Sequence, residues 1–229
     1  IAVLAGLLLP AVGLVRKQAR LANCSSNMRQ LGIALEVYRQ EHDDDFPESL
    51  RALFDPDLAG LLEPGEAKLL LCPSDPFRGQ GRGADKFNRS GMTSTLLEEL
   101  WTPEQPCSYL NEVSGVEVGA DQVTWFGAAD EINALTPVPT SFNATPTRPP
   151  WWKAKAHQRK SGYPQGSYQA TSPAWALSEF PMLRCYWHHE WTTANAETAR
   201  KVVNLAWGFN VWMSIPYWEH QVNPNVPLP

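Results

Sequence analysis

Residues 1–50 read IAVLAGLLLPAVGLVRKQARLANCSSNMRQLGIALEVYRQEHDDDFPESL, and this stretch decides the fold. Ile1 to Val15 carries no charged or polar side chain. A bilayer span needs about 20 such residues, so fifteen are too few alone. No initiator Met, basic leader or small-residue cleavage site marks a secretory signal. The simplest expectation is that Ile1 is not the true start and that more of the apolar segment lies upstream. The other reading, a buried core helix, would need cover on every side. From Leu21 the pattern changes. Leu21, Cys24, Met28, Leu31, Leu35 and Tyr38 recur at spacings of 3, 4, 3, 4 and 3. That is one narrow apolar seam on a helix. Polar residues such as Arg16, Lys17, Arg20, Asn27, Arg29 and Glu36 occupy the other faces. One helix over residues 1–41 is expected, about 60 Å long. Pro10 removes a backbone hydrogen bond, and Gly6 and Gly13 weaken the helix around it, so a kink or short melted stretch is expected there. Three carboxylates at Asp43–Asp45 oppose the macrodipole at a helix C-terminus, so the helix should stop before them.

The whole chain has 229 residues, 19 basic and 24 acidic, for a net charge of −5. This argues against a nucleic-acid partner held by bulk positive charge. Hydrophobic residues make up 43%, enough for a core. Twenty Pro against 15 Gly point to much irregular structure. The expected class is α+β: the long helix (1–41; apolar 1–15, amphipathic 16–41) on a β-rich head (42–229). Residues 48–70 read as short helix and loop, and Lys68–Cys72 as a strand candidate. Residues 107–118 and 122–129 are strand-like. The Pro- and Thr-rich run 136–150 is an extended loop. Val202–Leu205 and Phe209–Ile215 form a hairpin turning near Gly208. The tail 222–229 is extended. Six late tryptophans (Trp175, Trp187, Trp191, Trp207, Trp212 and Trp218) read as strands of an aromatic-rich sheet that either fills the head, the favoured reading, or makes subunit contacts.

Residues 1–50 resemble the N-terminal region of type IV pilins and type II secretion pseudopilins, in particular a large-headed branch with a prepilin-type cleavage and methylation segment. Leu7, Leu8, Leu9, Pro10, Arg16, Ala19, Arg20, Cys24, Asn27, Met28, Arg29, Gln30, Leu31, Gly32, Ala34, Leu35, Tyr38, Phe46 and Pro47 carry the match. Weaker echoes are Leu71-Cys72-Pro73-Ser74-Asp75, Cys107-Ser108-Tyr109, Arg184-Cys185-Tyr186-Trp187-His188, Val203-Asn204-Leu205-Ala206-Trp207-Gly208 and Trp218-Glu219. The resemblance implies a pilin-like fold, with the helix packed on an antiparallel sheet. It implies a non-enzymatic subunit of an extracellular pilus or pseudopilus. Ile1, Val3, Leu4, Leu7, Leu8, Leu9, Pro10, Val12, Leu14 and Val15 would form the filament core. Leu21, Cys24, Met28, Leu31, Leu35 and Tyr38 would pack helix to head. The implied partners are identical subunits, the inner membrane before assembly, a prepilin peptidase and assembly machinery. The family also begins with an N-methylated residue and a nearby glutamate, which the quoted sequence does not include. The alternative from another class is a membrane-anchored domain binding glycan or a secreted substrate on a Trp-rich surface.

Four cysteines allow three pairings. Cys72 with Cys107 would close a loop of moderate length, leaving Cys24 and Cys185 to staple helix to sheet. Cys24 alternatively reads as a small buried hydrophobe. Cys185, His188 and His189 form a soft-ligand group but read as a surface His pair beside a structural Cys, so no metal is assigned. Asp43, Asp44, Asp45, Asp55 and Asp57 offer oxygen to calcium, yet their spacing does not fit an EF-hand and they read as solvated acids. Asn143 with Thr145 is the favoured glycosylation sequon; Asn23 and Asn88 begin two others. No GxSxG, HExxH or GK[ST] motif occurs, so no catalytic residues and no cofactor are assigned.

Overall fold

A computed structural model describes residues 2–57, 60–79, 106–115, 150–161, 174–188, 202–215 and 218–222. Helix α1 runs from Ala2 to Glu41 without a break, so no melted stretch interrupts it at Pro10. It ends where the acidic run begins. Asp43 and Asp44 take left-handed backbone angles, φ 50° and 67°. The Asp44 N–H reaches back to the Arg39 carbonyl at 3.0 Å, closing the last turn.

The class is α+β. Among the described residues four antiparallel strands follow in the order β1–β2–β3–β4: Leu110–Asn111, Pro181–Cys185, Val202–Ala206 and Val211–Ser214. β3 and β4 form the expected hairpin, with Phe209 at φ 64° in its turn beside Gly208. Helix α2 spans Trp151–Ser161 and helix α3 spans Trp218–Val222.

Several local expectations change. Residues 48–70 hold two 3₁₀ helices, Leu50–Phe54 and Pro64–Leu70. Lys68–Leu70 is therefore not strand: Pro64 opens a helical turn, and the Glu63 N–H donates to the Glu66 carboxylate at 3.1 Å. Within 106–115 only Leu110–Asn111 is strand; residues 116–118 and 122–129 lie outside the described residues, as does the loop 136–149. Trp218, read as a strand residue, opens helix α3, and Trp175 and Trp187 are not in strands either.

The core lies between α1 and one face of the sheet. Cys24, Met28, Leu31 and Leu35 pack with Leu183, Cys185, Val203 and Leu205, all buried. Each fully buried aliphatic side chain contributes about 1.5–3 kcal/mol. Gly32 lets the helix come close: a Cβ there would lie 2.3 Å from Leu205 Cδ2. The opposite face carries a buried polar network. Glu112 takes Lys155 at 3.2 Å and Arg184 at 3.4 Å. Arg184 also donates to Asn204 at 3.1 Å, and Asn204 to Ser214 at 2.8 Å. Beside it, Trp175, Phe180 and Trp218 form a second apolar cluster.

Candidate functional site

Two features of α1 bear on function: its projecting half, and a cysteine-rich centre where its packed half meets the head. Residues 12–20 are all exposed. Val12, Leu14 and Val15 are 46%, 60% and 61% accessible. A Cβ added at Gly13 would have nothing within 4 Å. Ile1 lies outside the described residues; Val3, Leu4, Leu7, Leu8, Leu9 and Pro10 belong to α1. No helix among the described residues is long and apolar enough to cross a membrane.

The seam residues of the same helix are placed differently. Cys24, Met28, Leu31 and Leu35 are buried, and Leu21 and Tyr38 pack at the edge of that core. Glu36 lies on an outer face, where Arg39 donates to it at 3.0 Å. That hydrogen bond holds the Glu36 carboxyl below its usual range.

At the first turns of the packed half, four side chains from distant positions converge. Cys24 comes from α1, Cys72 from the turn after the second 3₁₀ helix, Cys185 from the end of β2 and His188 three residues on. Their ligand atoms lie within 4.8 Å of one another. The three cysteines are buried and His188 is half-buried. Cys72 Sγ stands 3.4 Å from His188 Nε2. The Ser74 N–H donates to the same sulfur at 3.4 Å.

Local structure fixes this turn. Asp75 folds it by accepting the N–H of Phe77 at 2.8 Å, the N–H of Gly79 at 2.6 Å and the Ser108 hydroxyl at 2.6 Å. Gly79 is needed there: its φ is +74°, and a Cβ would lie 2.4 Å from the Cys107 nitrogen. From the helix, Asn27 donates to the Leu71 carbonyl at 3.1 Å, next to Cys72.

The electrostatics favour one anionic sulfur in this centre. Cys72 is held far below the ordinary thiol range by hydrogen bonds from Cys185 and Cys24, with His188 alongside. Cys185 is pushed up by burial and by its two sulfur neighbours. For Cys24, the Cys185 contact lowers the thiol, but hydrogen bonding to Cys72 and burial raise it further. Tyr109, packed against the group, is raised by burial and by the nearby thiols.

The expected Cys72–Cys107 disulfide is not formed, and neither is Cys24–Cys185; all four cysteines are free. Cys107 faces elsewhere, with Sγ 3.5 Å from the Tyr109 carbonyl, and burial pushes its thiol up to about 12. Nor is His188 a surface group beside an inert cysteine; His189 lies outside the described residues. No metal was assigned from the sequence, and the fold brings together Cys24, Cys72, Cys185 and His188, a set that could hold one. It could not be read from sequence because positions 24, 72 and 185–188 meet only through helix-on-sheet packing. The signal present was a cysteine on the buried seam, a Cys-Pro turn and a Cys-x-x-His step.

Two of the acidic residues weighed for calcium serve local structure. Asp44 pairs with Arg39, and Asp55 accepts the Asp57 N–H at 3.0 Å. Asn143 and Thr145 lie outside the described residues, while Asn23 is exposed on α1. Comparison with known proteins adds no relative: no family model, no curated protein and no solved structure matches the chain.

Proposed function

We propose that the protein is a structural subunit that polymerises through its N-terminal helix into an extracellular pilus- or pseudopilus-like filament. The carrying observation is the exposure of Val12, Leu14 and Val15 on a helix whose next turns are firmly docked. Unpartnered apolar surface of this kind gains free energy from burial at about 25 cal/mol per Å². Among the described residues the head supplies no cover at these positions, so copies of the same helix are the natural partners. An inner membrane would hold the segment before assembly, and transfer from one apolar medium to another costs little. In this reading the pilin-like resemblance extends to the head, and a prepilin peptidase and an assembly machine act on the chain.

The alternative of an anchored glycan-binding domain needs an aromatic platform in solvent. Trp151, Trp175 and Trp218 are buried, and Trp152, Trp187, Trp207 and Trp212 are partly buried. None of these described tryptophans offers a fully open face for stacking on sugar.

Electron microscopy of the purified chain under native conditions tests the reading. Filaments or short helical oligomers are expected, and they should vanish in the double variant Leu14→Asp/Val15→Asp. A uniformly monomeric wild-type population would overturn the proposal.

A further inference from the structure

We propose that Cys24, Cys72, Cys185 and His188 bind one zinc-class divalent ion that pins the long helix to the sheet. A tetrahedral ion with sulfur at about 2.3 Å and imidazole nitrogen at about 2.0–2.1 Å spaces two sulfurs about 3.8 Å apart and sulfur from nitrogen about 3.6 Å apart. The four ligand atoms lie within 4.8 Å of one another, and Cys72 Sγ is 3.4 Å from His188 Nε2. Binding therefore needs a contraction of at most about 1 Å.

The chemistry matches the geometry. Three soft thiolates and one imidazole select zinc over the hard cations that prefer oxygen. All four positions are protein ligands, so the site is closed and structural, with no place left for a catalytic water. The Ser74 N–H at 3.4 Å orients the Cys72 sulfur from outside, as donors around metal thiolates do. A disulfide is the competing chemistry, but it joins only two sulfurs. It would strand the third beside His188 in a largely buried pocket.

The consequence is mechanical. The ligands come from α1, the Cys72 turn and the end of β2 with its following turn, so one ion joins segments far apart in the chain. In the unfolded state such a link closes two long loops, which is where cross-links stabilise most in principle. It also fixes the helix at Cys24, only a few residues from the exposed run 12–20. The site serves a monomer and a polymer alike.

The test is metal analysis of the full purified chain after zinc loading and desalting, with cobalt(II) substitution. One zinc per chain is expected, together with the intense visible bands of tetrahedral cobalt thiolate. Chelation followed by denaturation should then expose four titratable thiols per chain. Cys107→Ser should keep the metal, because its sulfur lies outside the group. Cys72→Ser and His188→Ala should lose most of it. Should Cys72→Ser fail to fold, His188→Cys decides: it keeps four ligands and should shift the cobalt spectrum to the all-sulfur pattern. Two missing thiols, metal retained in His188→Ala, or an unshifted spectrum in His188→Cys would each overturn the proposal.

Discussion

The two halves of α1 share one helix but not one environment. From Leu21 to Tyr38 the apolar residues keep to a single face, and the sheet covers that face. From Val12 to Arg20 the apolar residues have no such order, and every side chain is exposed. A single sheet can bury a stripe; it cannot bury a cylinder. The contrast teaches that apolar content alone does not say what covers a helix. The angular distribution of the apolar groups does.

The largest effect that would break this contrast is on assembly. Leu14→Asp/Val15→Asp should abolish polymerisation in sedimentation assays, while leaving the unfolding free energy of the dispersed subunit within about 0.5 kcal/mol of wild type, as for other surface substitutions. An equal loss of subunit stability would mean that this half is packed in the monomer after all. Next comes the docked half. Leu31→Ala removes a fully buried side chain and should cost about 2–5 kcal/mol in denaturant unfolding, whereas Leu14→Ala should be nearly neutral in the monomer.

The two helical glycines give a sharper pair. Gly13→Ala meets no atom within 4 Å and should stabilise the dispersed subunit by about 0.5–1 kcal/mol through helix propensity. Gly32→Ala drives a methyl into Leu205 and should destabilise by about 1–3 kcal/mol. Opposite signs for one substitution, at two points on one helix, would measure the difference between the halves directly.

The smallest effect concerns pH. Glu36 is held below its unfolded value by Arg39, so its contribution is present above the unfolded value near 4.3 and fades as pH falls through the lower folded value. Glu36→Gln should flatten the acid limb of the stability profile by only a few tenths of a kcal/mol, the size of an i,i+3 pair. A Glu36→Gln profile matching wild type at every pH would show that the pair contributes nothing.

Much of this was legible in the chain. The 3- and 4-residue spacing from Leu21 to Tyr38 fixed the docked face, and the acidic run fixed where α1 ends. The strand-like runs on either side of Gly208 located the β3–β4 hairpin. What failed to show was one local turn and whatever depends on distant parts of the chain meeting. Lys68–Cys72 has strand composition, but Pro64 and the Glu63–Glu66 box commit it to a 3₁₀ turn. Cys72 and Cys107 are plausible partners by loop length, yet Ser108 and Asp75 turn Cys107 away while Cys72 faces the helix. The Cys24–Cys72–Cys185–His188 group draws on three separate regions, and no local pattern reports that convergence. The close approach of Leu205 to Gly32 likewise has no local signal in the chain.

The central claim is that the exposed half of α1 is covered by other copies of itself. A photo-crosslinking residue placed at Leu14 of the full chain tests this most directly. Under assembly conditions the account predicts a ladder of covalent multimers joined α1 to α1, with few links inside one chain. Crosslinks confined to residues 42–229 of the same molecule, with no multimers, would contradict it.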